Sequence, residues 1–112
     1  MNITQVRKYA LSLPETSEEP HFHYASFRVR GKIFVTVPPE ATHIHVFVSD
    51  KHREPALAVH SEYIEKLTWG DKVVGLRITL ASAAQDVAKE LIRHAWEGKA
   101  PRRLVTEATK PK

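Results

Sequence analysis

Between Ser26 and Val37 the chain alternates apolar and polar residues, breaks once at Gly31, and alternates again. Alternation with a period of two predicts a half-buried strand, and a glycine between two such runs predicts a hairpin. A three-residue loop, Arg30-Gly31-Lys32, sorts Phe27, Val29, Ile33, Val35 and Val37 onto one face. Ser26, Arg28, Phe34 and Thr36 then share the other. A two-residue loop would shift the second strand by one position and undo this sorting, since successive side chains point to opposite faces. His43 to Val48 alternates in the same way, with Ile44, Val46 and Val48 inward and His43, His45 and Phe47 outward. Lys72 to Leu80 puts Val74, Leu76, Ile78 and Leu80 inward and Val73, Arg77 and Thr79 outward. Gly75 falls on the outward row, where it points to a bulge or a close contact.

Helical spacing flanks these strands. Ile3, Val6, Ala10 and Leu13 predict a helix over 3–13, capped by Asn2 and ended by Pro14. Ala84, Val87, Ala88, Leu91, Ile92 and Ala95 form the stripe of a helix from Ala83 to Glu97, with Ser82 as N-cap and Gly98 as C-cap. Pro55 makes residues 50–61 a short or broken helix. Glu15 to Pro20 reads as an acidic connector, and His21 to Tyr24 as a short first strand. Residues 38–42 read as a loop, and Tyr63 to Trp69 as strand or irregular chain. Helices towards both ends with strands between them imply an α+β fold. Its antiparallel β-sheet has the N- and C-terminal helices packed on one face, leaving the other open.

Length and charge refine this picture. The 112 residues suit one domain, taken as 1–104, followed by a flexible basic tail at 105–112. The net charge of +4 lies entirely in residues 99–112, where Lys99, Arg102, Arg103, Lys110 and Lys112 face only Glu107. The body is neutral, so tight duplex binding would need the tail. The absence of cysteine excludes disulfides, thiolate metal sites and cysteine nucleophiles. It suits a reducing cytoplasm, the expected location. No apolar run is long enough to span a bilayer, and the N-terminus lacks the apolar centre of a signal peptide.

Three constellations bear on chemistry. The outward sheet row carries Arg28, Phe34, Thr36, His43, His45, Phe47, Arg77 and Thr79. Cations mixed with rings on an open sheet suit nucleic acid, the cations meeting phosphates and the rings stacking on exposed bases. The same composition also suits packing against a protein partner, a small ligand or a second copy of the chain. His21 and His23, like His43 and His45, share strand faces two residues apart. Four imidazoles could then converge on a metal, although surface histidines without that role are the commoner outcome. The carboxylates Glu15, Glu18, Glu19 and Glu40 lie in polar loops, and no nucleophile elbow or phosphate-binding glycine loop is present, so nothing points to an enzyme. Trp96 reads as core, whereas Trp69 beside Gly70 suits a cleft shared with Tyr24 and Tyr63.

The runs Leu11-Ser12-Leu13-Pro14-Glu15, Pro20-His21-Phe22 and Ser26 through Phe34 resemble the MmcQ/YjbR family. Trp69-Gly70, Trp96 and Ala100-Pro101-Arg102-Arg103-Leu104 add to the likeness, which spans about residues 3–104. The resemblance implies a frataxin-like (CyaY-like) fold and DNA binding through a double-wing arrangement. It supplies no catalytic residues and no cofactor. Arg7 and Lys8 make the first helix basic, so the acidic iron-binding face of frataxins is not implied. The expectation is a non-enzymatic DNA-binding protein. Its contacts would be Arg28, Arg30 and Lys32 on the hairpin, Arg77 on the sheet, and Arg102 and Arg103 on phosphates. The alternative is a protein- or small-ligand-binding module, or a homodimer, using the same face.

Overall fold

The computed structural model describes residues 1–109. It is α+β: helix α1 (Ile3–Ser12), strands β1 (Thr16–His21), β2 (Tyr24–Val29), β3 (Lys32–Val37) and β4 (His43–Val46), helix α2 (Asp50–Val59), strands β5 (Ile64–Trp69) and β6 (Lys72–Thr79), and helices α3 (Gln85–Lys99) and α4 (Arg102–Thr109). The six strands form one antiparallel sheet in the order β1-β2-β3-β4-β6-β5.

Helix α1 begins as its sequence requires. The Asn2 side chain accepts from the Gln5 amide at 2.9 Å, and the Gln5 side chain accepts from the Asn2 amide at 2.9 Å. This reciprocal box satisfies two of the amides that a helix N-terminus leaves unpaired. Helices α1 and α3 pack against each other and against one face of the sheet. The buried Trp96 indole N–H donates to the Pro14 carbonyl at 3.0 Å and so ties α3 to the end of α1. Helix α3 starts two residues later than the sequence suggests. Ser82 belongs to a 3₁₀ turn, Ala84 takes the N-cap position without a side-chain bond, and the helix runs through Gly98 to Lys99. Helix α2 is continuous from Asp50 to Val59 with Pro55 inside it. Helix α4 continues the chain past Pro101 and buries Leu104 in the core. Lys110 and Lys112 of the expected basic tail lie outside the described residues.

The acidic stretch expected to be a connector is edge strand β1. Its inner residues Ser17, Glu18, Glu19 and Pro20 are all exposed, so the sequence shows no alternation there. Charge and a proline on an edge also discourage pairing with another chain. Conversely, the expected strand His21–Tyr24 is the β1–β2 turn, with His21 paired to Tyr24 across Phe22 and His23.

The central hairpin turns on two residues, not three. Val29 pairs with Lys32, and both Arg30 (φ +48°) and Gly31 (φ +82°) are left-handed, as a type I′ turn demands. The shift that a two-residue loop imposes is corrected further along by a bulge. Arg28 pairs with Ile33 but Phe27 pairs with Val35, which leaves Phe34 as the extra residue. A bulge of this kind turns two consecutive side chains to one side. Phe34 therefore joins Val35 in the core at 0% exposure, while Ile33 stands half-buried on the opposite face. That reverses the expected roles of Ile33 and Phe34, and burying the phenyl ring contributes about 2–3 kcal/mol.

Candidate functional site

The face of the sheet away from α1 and α3 carries one polar row that crosses every strand. Glu19, Ser26, Thr36, His45, Arg77 and Glu65 are successive register partners from β1 to β5. Ser26 Oγ donates to the Glu19 carbonyl at 2.7 Å and accepts from Arg28 Nε at 3.1 Å. Thr36 Oγ1 and His45 Nδ1 lie 3.3 Å apart, and Arg77 Nε lies 3.8 Å from Glu65 Oε1. Burial, then the charge of Arg77, pushes the His45 pKa below its ordinary value, so this imidazole is neutral at pH 7.

A groove of about 640 Å³ runs over the centre of this row. Thr36, His45, Ile33 and Phe47 form its floor. The β1–β2 turn, from His21 to Tyr24, borders one side, and Trp69, Lys72, Val73 and Val74 of the β5–β6 hairpin border the other. These two hairpins close at opposite ends of the sheet and on opposite edges, so the groove lies on a diagonal between two corners. Tyr24 and His45 have ring centroids 6.0 Å apart, and Phe47 and Trp69 5.7 Å. Trp69 remains 65% exposed. Arg53 from α2, Lys72 from β6 and Lys99 from the end of α3 bring positive charge to the lining, which includes no aspartate or glutamate. Arg53 is held by a bond from Nη1 to the Val48 carbonyl at 2.6 Å.

The second bulge shapes the far wall. Leu67 pairs with Gly75 and Thr68 with Val73, leaving Val74 unpaired. Val74, expected in the core, therefore lines the groove beside Val73. Gly75 lets the backbones close up: a Cβ there would lie 2.2 Å from the Val46 carbonyl oxygen. Both possibilities raised by its place on the outward row are realised together.

The residues singled out from sequence divide into three groups. Thr36, His45 and Phe47 lie in the groove, and Trp69 joins Tyr24 there as expected, whereas Tyr63 is buried elsewhere. Arg28 and Arg77 belong to the sheet face outside the lining, Arg28 folded back so that Nη2 donates to the Pro20 carbonyl at 3.3 Å. Arg30 sits at the β2–β3 turn in a two-bond pair with Glu15, at 2.8 and 3.3 Å. That pairing, reinforced by Arg103, holds the Glu15 carboxyl below the usual range. Lys32 is exposed beside this turn, and Arg102 and Arg103 are exposed in the first turn of α4. His21, His23 and His45 line the groove but His43 does not. Among the described residues no three histidines or carboxylates are placed to hold a metal ion.

Sequence reasoning missed Arg53, Lys72 and Lys99 because each comes from a different element. Only the Trp69-Gly70 pair signalled the second wall in advance.

No helix among the described residues is long and apolar enough to cross a membrane. No curated protein matches the chain. The crystal structure of the Deinococcus radiodurans protein DR2400, described as a DUF419 domain, superposes with a TM-score of 0.76. The match covers 98% of this chain and 89% of that one at 16% sequence identity, a likeness of fold. The YjbR family model matches residues 11–98, from the last turn of α1 through nearly all of α3 and thus every strand that builds the groove, and the chain belongs to the YjbR family.

Proposed function

We propose that the protein is a non-enzymatic nucleic-acid-binding protein that meets DNA with the open face of its sheet. The observation that carries this reading is the groove lining. Exposed or half-exposed rings of Tyr24, Phe47 and Trp69 share the lining with Arg53, Lys72 and Lys99, and no carboxylate is among them. Rings accept bases face to face while cations neutralise phosphates, and neither part needs a reacting group. Outside the lining, Arg28, Lys32, Arg102 and Arg103 add further positive charge, whereas Arg30 and Arg77 are offset by Glu15 and Glu65. A homodimer through this face would cover the same rings.

The compact volume favours a second reading, a small aromatic anion held in the same place, since pockets of about 300–1,000 Å³ suit such ligands. Titration of oligonucleotides at several salt concentrations, followed by tryptophan emission, tests the first reading. Trp69 is exposed and Trp96 is buried, so bound bases should quench the Trp69 signal. Affinity should fall steeply with salt, and Trp69→Ala should lose about tenfold in affinity along with the quenching. Absence of binding at low salt, with quenching by free mononucleotides, would select the second reading.

A further inference from the structure

The two hairpins that flank the groove close in the same way. In β5–β6 the first turn residue, Gly70, has φ +64°, and Asp71 does not share the positive φ. In β1–β2 the first turn residue has φ +59°, and His23 does not share it, but here the residue is Phe22. Glycine is the usual occupant of that position, because a Cβ disfavours the left-handed region. Phe22 is also 90% exposed, so its ring recovers almost nothing by burial. It meets the His21 ring edge-on, with centroids 4.9 Å apart, and it lines the groove at the Tyr24 end. Backbone conformation and solvent exposure both oppose a phenylalanine here, and the edge-on contact with His21 leaves most of its ring bare.

We infer that Phe22 is a stacking contact for an unpaired nucleobase lying in the groove, and that it makes the site select single-stranded over duplex nucleic acid. This rests on the nucleic-acid reading above. An aromatic ring can stack only on a base whose face is open, which a duplex interior does not offer. The three lining cations and the lack of lining carboxylates match the phosphates on either side of such a base. The two-residue turn carries the ring at the rim of the groove, within reach of a base lying there.

The test uses the full chain, its Phe22→Asn variant, a fluorescent oligothymidylate and a duplex of the same length. Asparagine tolerates a positive φ, so it removes the ring and relaxes the turn together. The unsubstituted protein should bind the single strand in preference to the duplex. Phe22→Asn should lose about tenfold in single-strand affinity while its thermal midpoint holds or rises. Unchanged single-strand affinity in the variant, or equal affinity for both probes in the unsubstituted protein, overturns the inference and leaves the nucleic-acid reading standing. A fall of the thermal midpoint in Phe22→Asn marks the ring as structural and also overturns it. Failure of the unsubstituted protein to bind either probe at low salt overturns both.

Discussion

The β1–β2 and β5–β6 hairpins occupy opposite corners of the same sheet, yet they are secured to it by different means. β5–β6 is seated by backbone against backbone. Gly75 brings β6 so close to β4 that no side chain fits between it and the Val46 carbonyl, and Gly70 closes the turn in a left-handed conformation that costs it little. β1–β2 is fastened by side chains. The fully buried Ser26 holds the Glu19 carbonyl, and Arg28 spans Ser26 and the Pro20 carbonyl. Its turn carries Phe22 where its counterpart carries glycine. One hairpin is built for close fit, and the other tolerates a locally unfavourable tip. The difference places the strain at the edge of the groove, where a ligand can meet it.

That contrast can be broken most severely at Gly75. Gly75→Ala should destabilise the fold by about 3 kcal/mol, because the clash is with backbone and cannot be relieved by a rotamer change. Urea unfolding would show it as a lowered midpoint. A loss below about 0.5 kcal/mol would mean that the two strands can separate freely and that the seating is not tight. On the other hairpin, Ser26→Ala should cost about 1.5 kcal/mol, since it leaves the Glu19 carbonyl and the Arg28 guanidinium each short of a partner. Amide exchange should then accelerate in β1 and leave β5–β6 unaffected. The smallest effect belongs to the turn itself. Gly70→Ala should cost about 1 kcal/mol through its positive φ alone, since a Cβ there meets nothing within 4 Å. An unchanged thermal midpoint in Gly70→Ala would remove the reason for treating the same conformation at Phe22 as unfavourable.

The parts legible in the sequence are those where one pattern dominates. The α1 stripe and its Asn2 cap, the central hairpin, the inward rows of β4 and most of β6, and the burial of Trp96 all follow from periodicity and local chemistry. The misreadings have a common origin. β1 has no buried row to announce it, and His21 to Tyr24 carries strand-like composition through a turn. The two bulges exchange Phe34 for Ile33 and carry Val74 into the groove, and a strict period of two cannot anticipate an inserted residue. The candidate site was legible in its floor, at Thr36, His45 and Phe47, and in the rings of Tyr24 and Trp69, but not in its cations, which come from α2, β6 and α3.

The sequence by itself determined an α+β chain with a helix-covered aliphatic side and a polar, ring-bearing side. Side-chain periodicity and burial suffice for that, since each strand sorts its own residues. Only the tertiary structure decided that Phe34 is core, that Arg30 is held by Glu15, and that Tyr24, Phe47, Trp69, Arg53, Lys72 and Lys99 share one concavity. Those outcomes depend on register, on where a strand gains a residue, and on which distant elements meet, and none of these is written in any single stretch of chain.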